Sequence, residues 1–576
     1  MVKEVLVIFK THLDIGFTDL AENVKKHYIN TFIPNAIKVG YELKDTNTPF
    51  IWTTGSYLIW EALKEDKDQT LTKAIKDGII SWHGLPCTTH TELMSKQMFE
   101  YGLLLSQKLD RLFGKKTTGA KMTDVPGHTK AVIPLLKKAG IDFLHIGINT
   151  ATPVPPVPEV FKWEYGGDSI NVVCQSGYGA PINMGDFVIY IAHTHDNNGP
   201  QSADEVKKLY AELKTQYPGA VIRAATFSDA AERMRTVKDL PVVENEIGDT
   251  WIHGVGTDPK KVSMYKQILR NIEQKGIGDT DLADSLMLVA EHTWGVNTNV
   301  YFKYYKDYGY DEFKSYENNP DRKFVESSWQ EQRDYVTKAA KQLKIDLNYT
   351  VKQPDLTGFS KLDCNVKTDF EISWQLFDSD DYIRYMKVYL QFTPQNIGWA
   401  CADYMKLGMP KYKGGIYTAK VCECYKQDNK AVYKLEFDEE LKNKYGLPYF
   451  WVEQQDGKVN VMWFNKGALR LPNAFWLKFK NIPDDNWQIR KLGEWINADD
   501  IIGSPLIAAT DYGVKNSNTE IVSYDAALVA PYGRRLLDYD LHPQKQDLYF
   551  NLYNNIWNTN FCMWYSDNSK FEFEIK

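Results

Sequence analysis

Through its first 235 residues the chain alternates short apolar runs with stretches of helical pattern. The apolar runs are EVLVIF at 4–9, PFIWTT at 49–54, GIISWHG at 78–84, TGAKMTDVPG at 118–127, FLHIGIN at 143–149, VIYIAHTHD at 188–196 and a run over 220–225. Helical periodicity fills 20–44, 56–78, 91–113, 129–139, 203–216 and 228–235. An apolar run with no polar alternation is a strand buried on both faces, and strands alternating with helices make a parallel sheet, open or closed into a barrel. Polar residues cluster just after several of the runs: His12 and Asp14, His83, Asp124, and His193 to Asp196. Ligands of such folds bind at the C-terminal ends of the strands, so this clustering is the first sign of an enzyme.

The pattern changes twice more. From about 258 it is helical, with segments at 258–275, 280–292 and 323–343 and a tyrosine-rich stretch, YFKYYKDYGYDEF, between the last two. From about 348 helical periodicity fades, and short alternating runs such as YMKVYLQF, KVNVMWF and FWLKFKNI stand between Gly, Pro, Asn and Asp. These read as an antiparallel β-sandwich. A chain of 576 residues has room for three to four domains, or for one large barrel with a β-rich remainder.

Composition narrows the partners. The net charge is −7, against nucleic acid and anionic membranes, which both call for basic patches. Aromatics make up 13% of the chain, which fits β-strands and equally fits rings that stack on sugars. The seven cysteines are scattered singly with no CxxC, against a disulfide framework or a zinc knuckle and in favour of a cytoplasmic protein. The apolar run from Val5 to Phe9 is too short for a signal sequence or a membrane helix.

Five short motifs carry chemistry. His12-Leu-Asp14 places an imidazole and a carboxylate in a loop after a buried strand, where both can face one metal, a donor pair that suits zinc; the alternative is a hydrogen-bonded loop pair. In TDVPGHT at 123–129, Asp124 ends a strand as a nucleophile, a ligand, or a cap of the following turn. HTHDNNGP at 193–200 offers a metal site, or Asp196 as a general acid with His193 and His195 on substrate hydroxyls, or an ordinary polar loop. EHTWG at 291–295 presents His292 at a helix end, as a ligand or a core histidine. WIHGVGTDPK at 251–260 presents His253 in a glycine-rich loop, for substrate or for a turn. No GxSxG, HExxH, GxxxxGK[ST] or strand-linked GxGxxG competes.

Taken in order, these motifs resemble family 38 glycoside hydrolases, the retaining zinc α-mannosidases. HLDIGF at 12–17 stands for the family's H-x-D-x-x-W, and TDVPGHT for its I-D-P-F-G-H-S. ISWHGLPCTTHTELMSKQMFEYG, with Glu92, resembles its third-strand segment, and EIGDTWIHGVGTDPKKVSMYKQ its E-L-Y-x-E-Y-H-R-G-T-Y-T stretch. EHTWG falls where the family has its last zinc-binding histidine. Phe17 in place of Trp, Val125-Pro126 in place of Pro-Phe and the His/Asn-rich loop at 193–198 set the chain apart, so the sugar need not be a mannoside.

The resemblance implies α/β then all-β architecture: a (β/α)7-type barrel over 1–257, a short helical bundle over 258–347 and a β-sandwich over 348–576. It implies one zinc per chain on His12, Asp14, Asp124 and His292, with Asp124 also the nucleophile and Asp196 the acid/base. His83, Glu92, His193, His195 and His253 are the candidates for holding the carbohydrate. Arg470 and Trp476 read as core or interface. A metal-dependent deacetylase or lyase on the same scaffold, and a non-catalytic carbohydrate-binding protein, are the rival expectations. Self-association stays open.

Overall fold

Strand β1 (Glu4–Thr11) is the axis of the N-terminal sheet. Val5 to Phe9 are fully buried, and each such side chain contributes about 1.5–3 kcal/mol by leaving water. In the computed structural model one edge of β1 pairs in parallel with β9 (Phe187–Thr194) over its whole length, and β9 pairs in turn with the short antiparallel β8 (Ile182–Asn183). The other edge is shared, its first half with β10 (Val221–Ala224) and its second with β2 (Trp52–Gly55), which pairs in turn with β3 (Ile80–His83). The structure describes all residues except 278–281, 303–306, 348, 365, 484–485, 504–506 and 538–546.

A second sheet joins β4 (Gly119–Asp124), β5 (Phe143–Ile148) and β7 (Asp168–Ser176) in parallel. The antiparallel strand β6 (Val160–Tyr165) and the short β11 (Val242–Val243) complete it. The expected barrel is thus two sheets rather than one closed ring; Gly84 N–H donates to Gly119 O at 3.0 Å where β3 and β4 meet. The β6–β7 hairpin went unpredicted because its alternating polar face, in VFKWEY, breaks the buried-run pattern.

Side chains two apart on a strand share a face, and this stratifies the interior. Leu6, Ile8, Phe143, Val173, Ile189, Ile191 and Phe227 form one apolar cluster. One pleat further along the same strands stand Lys10, His145, Gln175 and His193, and beyond Lys10 stands His12. The apolar floor therefore gives way to a polar layer and then to the strand ends.

The chain divides into two units. The first holds 1–91, 98–245 and 291–293, and the second holds 92–97, 246–290 and 294–576. In the second unit, helices Pro259–Lys275 and Leu282–Met287 pack on the long helix Pro320–Leu343. The helix expected over 280–292 ends at Met287, and its first two positions lie outside the described residues. His292 is therefore not on a helix. Its neighbour Glu291 bridges to Thr89.

Among the described residues two large antiparallel sheets follow, of ten and six strands. A single apolar cluster draws Val452, Val461 and Phe571 from the larger sheet and Ile372, Trp374 and Phe475 from the smaller. One expected strand is a helix: Asp381–Val388 covers the start of YMKVYLQF. Tyr382, Tyr385 and Tyr389 are buried, and spacings of three and four are helical. Among the described residues no helix is long and apolar enough to cross a membrane.

Candidate metal centre

Four buried side chains of the first unit converge beyond the strand ends. His12, Asp14, Asp124 and His292 each offer one ligand atom, all within 4.8 Å of one another. His292 Nε2 lies 2.9 Å from Asp14 Oδ1 and 3.4 Å from Asp124 Oδ2, and His12 Nε2 lies 3.2 Å from Asp14 Oδ1. The two imidazole Nε2 atoms are 3.3 Å apart.

The outer nitrogens of both rings are engaged. His12 Nδ1 is 2.8 Å from Thr123 Oγ1, which also accepts from Lys121 Nζ at 2.7 Å. His292 Nδ1 is 2.7 Å from Glu291 Oε1, and Thr293 N–H donates to the other Glu291 oxygen at 2.8 Å. Protons on the two Nδ1 atoms satisfy these partners and leave both Nε2 lone pairs facing two carboxylates. Four acceptors aimed at one point repel unless a cation stands among them, so the donor set fits a divalent metal. Nitrogen and carboxylate oxygen in this ratio, with each histidine oriented from behind, suit zinc-type coordination.

The electrostatics agree. Burial alone would neutralise Asp14, but the His12 and His292 imidazoles hold its carboxyl well below the usual range. Asp124 is likewise lowered against its burial, chiefly through His292. Burial opposes a charge on His292, yet Glu291, Asp124 and Asp14 outweigh it and raise its pKa well above the ordinary value. A proton on His292 is thus the metal-free substitute for the ion.

Asp124 is held in an unusual pose. Its φ is +89°, a region that costs a non-glycine residue about 1–3 kcal/mol. Its Oδ1 accepts from Asn149 Nδ2 at 2.9 Å and from the Tyr178 hydroxyl, while Oδ2 faces the histidines. Gly147 keeps the neighbouring strand close: a Cβ there would lie 2.9 Å from both Thr123 Cγ2 and His145 Cε1.

The loop HTHDNNGP is tied to the loop HLD. Asn197 Oδ1 accepts from Asp14 N–H, and Asn197 Nδ2 donates to Asp14 O, both at 3.1 Å. Asn197 N–H donates to His12 O at 3.0 Å. Asp196, next to this clamp, is half-buried, and its Oδ1 has no hydrogen-bond partner among the described residues. Burial first, and then the charges of Asp14 and Asp124, raise its pKa well above the carboxylate range.

The remaining sequence candidates lie around or away from this group. The His193 ring meets Tyr178 at 5.8 Å and exposed His195 at 5.6 Å. Burial pushes His193 down to about 4. His83 is buried at the end of β3, where its Nδ1 accepts from Leu85 N–H at 3.3 Å. Glu92 and His253 belong to the second unit. Glu92 is buried with Lys491 Nζ at 3.0 Å, and Lys491 also reaches Glu246 at 2.7 Å. The His253 ring is packed by Tyr389 and Trp557 at 4.3 and 4.8 Å. Thr123, Asn149, Tyr178, Asn197 and Glu291 were not singled out as site residues. Glu291 is adjacent to His292 in EHTWG and Asn197 follows Asp196, so adjacency could have flagged both; Tyr178 sits in SGYG, which carries no signal.

Residues 255–360 match a family described as a domain of unknown function, DUF5054. No curated protein matches the chain. Solved structures similar over the whole chain include two that share its fold. One is an alpha-mannosidase from Enterococcus faecalis V583, with a TM-score of 0.58 at 10% identity, covering 100% of this chain and 87% of that one. The other is a protein in the glycosyl hydrolase family 38 from Enterococcus faecalis, with a TM-score of 0.55 at 9% identity, covering 100% and 86%. At such identities the likeness is one of fold.

Proposed function

We propose that the chain is a metal-dependent glycoside hydrolase, α-mannosidase-like and retaining, with one zinc held by His12, Asp14, Asp124 and His292. The observation that carries this reading is the four-ligand group with Asp124 in it, set at the ends of parallel strands in a fold similar to that of an alpha-mannosidase. A bound divalent ion would supply two things here, a grip on adjacent sugar hydroxyls and relief of charge as the ring distorts toward an oxocarbenium-like transition state.

The chain's own groups do the rest. Asp124 attacks the anomeric carbon with a carboxylate that its surroundings keep ionised. Asn149 and Tyr178 donate to Asp124 Oδ1, fixing the carboxylate plane. Asp196, whose pKa burial and the charges of Asp14 and Asp124 raise well above the carboxylate range, gives its proton to the leaving oxygen. It then takes a proton from the water that releases the sugar.

The test is the anomeric configuration of the first-formed product, followed by proton NMR on aryl α-glycosides. Retention supports the reading; inversion, or no new reducing end from a protein carrying its metal, overturns it. One observation favours a second reading. Neutral His193, near Tyr178 and Asp196, suits proton abstraction, as in a metal-dependent glycan lyase or deacetylase. An unsaturated sugar or free acetate would identify those reactions.

A further inference from the structure

The loop that carries His12 and Asp14 runs on past the metal group to Asp19. There it meets a cavity of about 250 Å³, lined by Asp19, Asn23, His27, Tyr28, Phe32 and Asn197 among others. All six belong to the first unit. Nothing in the proposed mechanism fills this space.

The backbone is irregular on both sides of it. Phe17 has φ +61°, and Thr18 N–H donates to Gly16 O at 2.7 Å across it. That is a γ-turn of the rare, strained hand, on a bulky residue. Opposite in sequence, Tyr28–Phe32 is a single π-helical turn between the helices Ala21–His27 and Ile33–Leu43. Such turns are rare and gather at functional sites. This one begins with Tyr28 and ends with Phe32, two of the rings that line the cavity.

Those rings are held in place. The Phe32 ring stands edge-on to the Tyr28 ring at 5.0 Å and to the His27 ring at 4.4 Å. Gly199 lets the HTHDNNGP loop close on Phe32, since a Cβ there would lie 2.5 Å from its Cδ1. The Tyr28 hydroxyl lies 3.0 Å from Asn197 Oδ1 and 3.2 Å from His12 O. Asn197 Nδ2 donates to Thr18 Oγ1 at 3.0 Å and to Asp14 O at 3.1 Å. The cavity wall is therefore one hydrogen bond from Asp14 and one residue from Asp196.

The lining selects the occupant. Asp19 Oδ1 accepts from Leu20 N–H at 2.7 Å, and its Oδ2 accepts from Asn23 Nδ2 at 3.2 Å. Lone pairs remain on that carboxylate, and a second N–H remains on the amide. The nearby cation, Lys25, is paired with Glu22 at 2.9 Å, so the local charge favours a neutral ligand over an anion. A pyranose offers an apolar C–H face to a ring and a rim of hydroxyls to a carboxylate and an amide.

We propose that this cavity is the subsite for the leaving-group sugar, a single neutral pyranose stacked on Phe32 with its hydroxyls on Asp19 and Asn23. This rests on the glycosidase reading above, in which the leaving oxygen meets Asp196, and it makes a sugar-to-sugar bond the natural substrate.

The experiment uses the full, metal-loaded chain with α-linked disaccharides of mannose, glucose and galactose and the matching para-nitrophenyl α-glycosides, whose leaving group is not a sugar. The readout is the ratio of kcat/KM for a disaccharide to that for its aryl counterpart. Phe32→Ala is expected to lower this ratio about 10-fold. Asn23→Ala, at an exposed position, is expected to lower it about 3-fold and serves alone should the first variant fail to fold. A merely structural loss moves both substrates together, so an unchanged ratio overturns the inference and leaves the glycosidase reading standing. Turnover of aryl glycosides with none of the disaccharides does the same. No turnover of either kind, with the metal bound, overturns both.

Discussion

The side chain of Asn197 closes a two-point clamp on the backbone of Asp14, accepting from its N–H and donating to its carbonyl, each at 3.1 Å. A side-chain amide paired this way behaves like one rung of a sheet. It fixes the HLD loop from the loop that carries Asp196, so Asp14 and Asp196 are positioned by a single residue. Asn197 itself adopts φ +52°, a conformation asparagine tolerates better than most residues.

Asn197→Ala should therefore loosen the metal without removing a ligand. Competition with a chromogenic chelator is expected to show a 10- to 100-fold weaker affinity, the usual cost of losing an outer support. Asn197→Asp, which keeps the acceptor and loses the donor, should fall between the two. Affinity equal to wild type in the alanine variant would remove the clamp from the metal's support.

Purified protein supplied with zinc should hold about one ion per chain by elemental analysis. His12→Ala, Asp14→Ala and His292→Ala should each lose it. A ligand at a thousand times its Kd stabilises by about 4 kcal/mol, so a chelator should lower the Tm of wild type and leave these variants unmoved. Because His292 takes a proton when the metal is absent, affinity should also weaken steadily as the pH is lowered.

At position 124 the backbone and the side chain make separate predictions. Asp124→Ala and Asp124→Gly should both abolish turnover and weaken metal binding. Glycine accepts φ +89° without strain, so chemical denaturation should show the glycine variant more stable than the alanine variant by about 1 kcal/mol. Equal stabilities would mean that the backbone relaxes once the carboxylate is gone.

Glu92 predicts a pH effect in the second unit. Burial first, with Glu246 and Asp249 also acting, outweighs Lys491 and lifts it to about 7, against about 4.3 in an unfolded chain. The folded state therefore binds the extra proton between those values, and stability falls as pH rises through that window. Urea melts from pH 4.5 to 7.5 should show this decline in wild type, and Glu92→Gln should flatten it while lowering stability overall. An unchanged slope would place the proton elsewhere.

Much of this architecture was legible because strands such as EVLVIF and FLHIGIN are buried on both faces and show no alternation. The metal group was legible for a related reason: His12, Asp14 and Asp124 follow such strands directly. The β6–β7 hairpin escaped because its amphipathic pattern resembles a loop. YMKVYLQF was misread because tyrosines spaced by three and four also satisfy a rough alternation. Tyr178 could not be found at all. It stands just past β7 and is brought to Asp124 by the pairing of β4 with β5 and of β5 with β7, and register between distant strands leaves no trace in local periodicity.

The strained aspartate also bears on how such a chain could change over generations. Glycine or asparagine at position 124 would sit easily at positive φ, so backbone stability alone favours losing a carboxylate that crowds Asp14 and Asp196. An aspartate braced there by Asn149 and Tyr178 is kept against that drift only by what its carboxylate does, which on the reading proposed above is to hold the ion and to attack the sugar.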